Sequence, residues 1–246
     1  MSKKDVSVGE SQVSRESSVL RPVNSIYSEK TDAYFAGSRL DIVDMMPANP
    51  RARVLEIGCG AGATGGAVRA AGKAEWYVGL ELDPAAAAIA ETRLNVVHVG
   101  NAEEMDLTVL GSGFDALIMS EVLEHLVDPG ALLKRLAPLL SPGAAVYASS
   151  PNIANKTVIR ALVAGRFEYT EMGVMDRTHL RWFTPHSFAA MFEAAGIRTV
   201  SVGPLGGFRG KARLFNQLTG SRLSHLFMTQ IMFVGRRDLD SRIASQ

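Results

Sequence analysis

The chain has 246 residues, 26 Lys and Arg against 25 Asp and Glu, and a formal net charge of +1. That length holds one sizeable α/β domain with its own core, and that balance gives no global basic field for nucleic acid. The single cysteine, Cys59, excludes an intrachain disulfide and a zinc site built from several cysteines.

No apolar run approaches the roughly 18–20 residues of a membrane span. The opening MSKKDVSVGESQVSRESS has no apolar h-region and does not read as a secretory signal, so the expectation is a soluble, cytoplasmic protein. Residues 1–25 are rich in Ser, Val and charge without periodicity and are expected to form a disordered tail. One domain follows over 26–240. YFAGSRLDIVDMM carries Leu40, Val43 and Met46 at helical spacing, and Pro47 stops it. Tyr34 and Phe35, just ahead, are placed to close over a ligand or simply to pack. RVLEI reads as a buried strand that ends at the loop GCGAGA. ATGGAVRAAG is a short helix; Gly65 and Gly66 weaken it but would let it approach the sheet. WYVGLEL is the next strand, and Asp83-Pro84 opens the helix PAAAAIAETR with proline in the first turn. NVVHVG and FDALIMS are strands, a helix runs from about Asp128 to Leu139, and GAAVYASS is a strand ending at Pro151-Asn152. The stretch 153–184 breaks the alternation and reads as a part-helical lid insertion. PHSFAAMFEAAG is a helix closed by Gly196, and IRTVSVG is a strand. Leu214, Phe215 and Leu218 give helical spacing within 207–227, and QIMFVGRR is the last strand.

Strands separated by single helices predict an α/β, doubly wound parallel sheet. Ligands of such sheets bind outside the carboxyl ends of the strands. Each distinctive segment falls at such an end: the glycine loop, Glu81, Asn101, Ser120-Glu121 and Pro151-Asn152. Gly58, Gly60 and Gly62 permit backbone conformations closed to other residues and clear room for a ligand. With Ala63 they also satisfy the dinucleotide pattern G-x-G-x-x-G/A. A strand buried on both faces is normally apolar. Glu56 breaks that rule, and a buried carboxylate needs partners. Glu81 lies about 20 residues past the loop, where a carboxylate accepts hydrogen bonds from both hydroxyls of a ribose. Asn101, between Gly100 and Ala102, offers an amide for an adenine edge.

Together EIGCGAG, GLELDP, GNAEEMDL, FDALIMSEVLEHLVDP and LLSPGAAVYASSPN make the chain resemble the class I S-adenosylmethionine-dependent methyltransferases over 34–237. An acid at the Glu56 position is typical of that class, whereas the dinucleotide reading has an apolar residue there. The resemblance implies a Rossmann-like, seven-stranded sheet whose last strand runs antiparallel. It also implies S-adenosylmethionine as cofactor, contacted by Glu56, Gly58, Cys59, Gly60, Gly62, Glu81, Leu82, Asn101, Ala102, Ser120 and Glu121. EVLEHL looks like the ubiquinone-biosynthesis O-methyltransferase branch. The segment 165–184 is similar to one in bacterial methyltransferases of surface-glycan pathways, which implies a small-molecule or glycan acceptor.

Glu121, Glu124 and His125 stand at i, i+3 and i+4, so a helix would place them on one side. Two carboxylates and an imidazole can bind a divalent metal, as some quinone O-methyltransferases with this motif are thought to do. The preferred reading is a polar helix start beside the cofactor, with no metal assigned. His125 is otherwise a candidate base. His179 is another, because Asp176 three residues earlier could orient the imidazole and raise its basicity; the alternative is a hydrogen bond within the lid. The catalytic candidates are therefore His179, His125 and Asp176, while His98, His186 and His225 read as structural. Arg209, Lys211, Arg213 and Arg222, with Phe208, Leu214, Phe215 and Phe227, could hold a phosphate, touch an anionic membrane surface through 204–227, or form a solvated face. The amino-methylating signature N/D-P-P-Y/F is absent; the corresponding place reads SSPN, Ser149 to Asn152. The expectation is an O-methyltransferase for a small molecule or sugar. Its rivals are a nicotinamide-dependent dehydrogenase and a non-catalytic subunit of the same fold.

Overall fold

Short buried strands alternate with capped helices along the chain. The computed structural model describes residues 37–205, 207 and 217–238. The tail 1–25, Tyr34 and Phe35, and Phe208, Arg209, Lys211, Arg213, Leu214 and Phe215 lie outside the described residues. The first half runs α1 (Leu40–Met45), β1 (Arg53–Ile57), α2 (Ala63–Ala70), β2 (Trp76–Glu81), α3 (Pro84–Ala90), β3 (Val96–Val99) and β4 (Phe114–Ser120). Then come α4 (Pro129–Leu136), β5 (Leu140–Pro151), α5 (Lys156–Val163), α6 (Pro185–Glu193), β6 (Ile197–Pro204) and β7 (Gln230–Arg237).

Local chemistry starts the helices where the sequence signals them. Asp83 accepts from the Ala86 amide at 2.8 Å and Asp128 from that of Ala131 at 2.9 Å, each followed by proline at the first helical position. Thr184 and Ser187 form a reciprocal capping box on α6.

The sheet order is β3-β2-β1-β4-β5-β7-β6. Only β7 runs antiparallel, against both β5 and β6; the remaining pairings are parallel. The strand order reverses at β1 and β4, and the crevice at their carboxyl ends is where such sheets take ligands. Both faces are covered. One buries Leu55, Leu117, Met119 and Val146 under α4 and α6, with Phe192 stacked on Phe233 at 4.0 Å between ring centroids. The other buries Val54, Tyr77, Ile118 and Tyr147 with Ile42 and Val43 of α1 and Val68 of α2.

The insertion holds one helix, α5. It buries Val158 and leaves Ile159, Leu162 and Val163 exposed. One helical expectation needs correction. EVLEHL makes no α-helix: Leu123–His125 is a single 3-10 turn, and Glu121 before it has a positive φ of 55°. Within 207–227, Gln217 and Leu218 are helical, Leu214 and Phe215 lie outside the described residues, and a 3-10 turn follows at Ser224–Phe227. Among the described residues no helix is long and apolar enough to cross a membrane.

Candidate active site

The glycine loop hangs from β2. The amides of Gly58 and Cys59 both donate to the Leu80 carbonyl, at 2.8 and 3.2 Å. Gly58, Gly60 and Gly62 all have positive φ, at 70°, 52° and 75°, a region that costs any side chain energy. At Gly58 a Cβ would also collide with the Cγ2 of Val122. The loop borders a cavity of about 1280 Å³ at the carboxyl ends of the strands.

Of the residues that the resemblance assigned to the cofactor, Glu56, Gly58, Cys59, Gly60, Glu81, Leu82, Asn101, Ala102, Ser120 and Glu121 line that cavity. Gly62 is the exception. It is the left-handed N-cap of α2, and a Cβ there would meet Ala90 of α3 at 3.0 Å. Its role is to let two helices close.

Glu81 organises the loop. One carboxylate oxygen accepts from the Gly60 amide at 2.7 Å, and the other from the amides of Leu82 and Asp83 at 2.8 and 2.9 Å. Burial pushes its pKa up, while those three amides pull it back. Glu56 finds the partner that burial demands, accepting from the Tyr77 hydroxyl at 2.8 Å. It is 3% exposed, and burial raises its pKa to about 8. A carboxyl raised above its unfolded value of about 4.5 is most favourable to the fold below that value, and this contribution is lost as pH rises through about 8. The thermal midpoint of the ligand-free protein should therefore fall between pH 6 and 9. Glu56→Gln should flatten that slope, as calorimetry at several pH values would show.

Asn101 is not aimed as expected. Its oxygen accepts from the Glu103 amide at 3.0 Å and its nitrogen donates to Glu104 at 2.9 Å. The side chain holds its own turn at the wall of the cavity, beside Ala102.

Sequence reading missed Arg39. It enters the cavity just ahead of α1, held by Asp41 through two hydrogen bonds at 2.9 and 2.8 Å. It donates to Ser149 Oγ at 2.6 Å and also to Ser120 Oγ. Ser149 in turn donates to Glu121 at 2.6 Å, and Gln230 of β7 donates to the other Glu121 oxygen at 3.0 Å. The signal was an arginine opening an amphipathic helix. Nothing local said which way it would point.

At the other end of the cavity stand Glu124, His125 and His179, all buried, with one ligand-type atom of each within 4.8 Å of the others. The edge-on imidazole rings are 4.8 Å apart between centroids. His179 comes from the insertion, whose Leu180 and Arg181 amides both donate to the Glu124 carbonyl, at 2.8 and 2.9 Å. Around the expected dyad of His179 and Asp176, further local partners hold each residue. His179 Nδ1 lies 3.2 Å from the Val174 carbonyl. Asp176 accepts from the amide and hydroxyl of Thr178 at 2.9 and 2.8 Å, and Thr178 in turn faces His125.

Glu124 is 1% exposed, and neither of its oxygens has a hydrogen bond of good geometry. Burial first, then the Glu121 charge, pushes its pKa well up; the Ser150 hydroxyl beside it pulls the other way. Folding at neutral pH therefore works against this carboxyl. Glu124→Gln should stabilise the cation-free protein at pH 7 by about 1–3 kcal/mol. The gain should shrink as the pH is lowered towards the value at which the unfolded chain is itself protonated. Chemical denaturation at pH 7 and pH 5 would measure both.

A family model described as a methyltransferase domain matches residues 29–202. The chain belongs to that methyltransferase family. A ubiquinone biosynthesis O-methyltransferase of Xanthomonas campestris is 31% identical over 186 residues, covering 72% of this chain and 76% of that one. One from Aromatoleum aromaticum is 28% identical over 170 residues, covering 67% and 71%. The crystal structure of a SAM-dependent methyltransferase from Archaeoglobus fulgidus superposes with a TM-score of 0.58 at 20% identity, covering 83% of this chain and 97% of that one. At that identity the likeness shows the fold. Family and fold together make this protein an S-adenosylmethionine-dependent methyltransferase. The dinucleotide reading of the glycine loop falls away.

Proposed function

We propose that the methyltransferase transfers a methyl group to a hydroxyl oxygen of a small molecule or sugar precursor. One observation carries this reading: two imidazoles and a carboxylate converge in the same cavity as the glycine loop and Glu81. In this reading the Gly58–Gly60 backbone and Glu81 hold S-adenosylmethionine, with Glu81 on the ribose and the backbone of Asn101 and Ala102 beside the adenine. Glu56 and Arg39 lie at the methionine end, the arginine suited to its carboxylate. The cofactor supplies a methyl group already activated on sulfonium. The chain's task is to hold the acceptor in line, at near-attack distance and away from water.

A hydroxyl acceptor gains from a base that removes its proton as the bond forms. His125 and His179 are the groups available, oriented by Thr178 and Val174. Asp176 does not act on substrate in this reading; it positions His125 through Thr178. The insertion 153–184 roofs the acceptor end through Glu171, Met172 and Val174. The names of the curated relatives support oxygen as the acceptor atom. The resemblance of 165–184 to glycan-pathway enzymes supports a sugar.

Methyl transfer from labelled S-adenosylmethionine into fractionated host extract tests the reading. Label in glycans, lipid-linked sugars or small molecules is the expected result. Label confined to protein or nucleic acid would overturn it.

A further inference from the structure

The ubiquinone-branch resemblance of EVLEHL points to a divalent metal held by Glu121, Glu124 and His125, but the structure assembles a different set. We propose that Glu124, His125 and His179 form a binding site for one divalent transition-metal cation, with Glu121 outside the ligand set. The proposal deepens the reading of this end of the cavity as the acceptor end, and it stands on side-chain placement rather than on methyl transfer.

Four observations carry it. First, the Glu124 carboxylate is buried, lines the cavity and has no hydrogen bond of good geometry to either oxygen, only the Ser150 hydroxyl beside it. A carboxylate so placed is stable when a cation completes it. Second, both imidazoles are oriented through Nδ1. That atom of His179 lies 3.2 Å from the Val174 carbonyl, and that of His125 lies 3.2 Å from the Thr178 carbonyl. A carbonyl only accepts, so in a neutral ring Nδ1 carries the hydrogen and Nε2 is the nitrogen able to ligate. Metal-binding histidines are held by outer partners in this way. The Thr178 hydroxyl donates to Asp176 and so turns a lone pair towards His125, which makes Asp176 and Thr178 part of that outer support.

Third, Glu121 is engaged elsewhere. Its oxygens accept from Ser149 and Gln230, and its positive φ takes it off the turn that carries Glu124 and His125. Fourth, one carboxylate and two imidazoles suit zinc, manganese, iron or cobalt better than magnesium or calcium, which favour all-oxygen sets. Ligand bonds of about 2.0–2.2 Å leave donors no more than about 4.4 Å apart. The present spread of up to 4.8 Å would therefore close by a few tenths of an ångström, drawing the insertion towards the end of β4. The cation would also change the histidines' task, since a lone pair given to a metal is not available to a proton.

The test uses the full chain stripped by chelator and titrated with Zn²⁺ alone by calorimetry, then with Co²⁺ to read its visible absorption. One ion per chain is expected. His179→Ala and Glu124→Gln should each weaken binding by about 100-fold or more, and Thr178→Val by about 10–100-fold. Glu121→Gln should leave the affinity within about twofold. S-adenosylhomocysteine binding and a cooperative thermal transition identify the variants that fold; His179→Gln stands in if His179→Ala does not. No stoichiometric binding to the wild-type chain would overturn the proposal. So would a Glu121→Gln protein that loses the ion while His179→Ala keeps it. Stoichiometric binding in a protein that methylates no hydroxyl would uphold the site and overturn the O-methyl reading instead.

Discussion

Glu81→Gln is expected to raise the dissociation constant for S-adenosylhomocysteine by about 10- to 100-fold, the equivalent of about 1.5–3 kcal/mol for hydrogen bonds to a charged group. The carboxylate accepts from three backbone amides, those of Gly60, Leu82 and Asp83, and in the proposed complex it also receives the ribose hydroxyls. A glutamine offers one acceptor oxygen. Its NH₂ would face either the Gly60 amide or the pair from Leu82 and Asp83, donor against donor. The loop and the ribose site should therefore loosen together. Calorimetric titration would measure the change, with the thermal midpoint as a check on folding. An affinity within threefold of wild type would place the ribose on other groups.

Gly65→Ala and Gly66→Ala should change stability in opposite directions. Both glycines sit inside α2, where alanine is favoured by about 1 kcal/mol on helix propensity alone. At Gly65 a Cβ would meet Leu94 and would stand 2.6 Å from a Tyr77 ring carbon. Both neighbours are packed in the core. Overpacking of that kind costs about 1–3 kcal/mol or more, and here it outweighs propensity. Tyr77 is also the residue that satisfies Glu56, so displacing it disturbs a buried hydrogen bond as well. At Gly66 the nearest atom is Arg93 Cβ at 3.7 Å, ordinary van der Waals contact. There propensity and the narrower unfolded ensemble stabilise by about 0.5–1 kcal/mol. Urea denaturation of the pair would show it. Equal shifts in both variants would mean that α2 does not press on the sheet as described.

The fold was legible from local signals because its elements are specified locally. Apolar strands between capped helices, with proline or glycine at the breaks, leave few topologies once crossovers must be right-handed. The sequence reading of Gly65 as a close-approach residue holds, while Gly66 shares its neighbour's composition without its contact. The cavity was legible for a related reason. In a doubly wound sheet every strand's carboxyl end faces the same edge, so residues scattered from Glu56 to Glu121 converge by topology.

What stayed hidden depended on how nearby backbone turned. EVLEHL has helical spacing, and spacing suggested that Glu121, Glu124 and His125 share a face. A positive φ at Glu121 and a 3-10 turn replace the helix: Glu124 and His125 still converge, while Glu121 bonds Ser149 and Gln230. Asn101 was read as facing a ligand, but an Asn after a strand can bond its own turn instead, and this one does. Arg39 carried no motif; its place follows from α1 packing beside α2 and the strand ends.

Residue order along the chain was enough to establish the alternating strands and helices and the glycine loop at a strand's carboxyl end, because periodicity, caps and strand-end positions are short-range properties. The methyltransferase class came from the resemblance of EIGCGAG, GLELDP and the segments after them to that family. The meeting of His179 with Glu124 and His125 was settled only in three dimensions. About fifty residues separate them, and the contact exists because the amides of Leu180 and Arg181 bond the Glu124 carbonyl, a long-range closure that no spacing rule encodes.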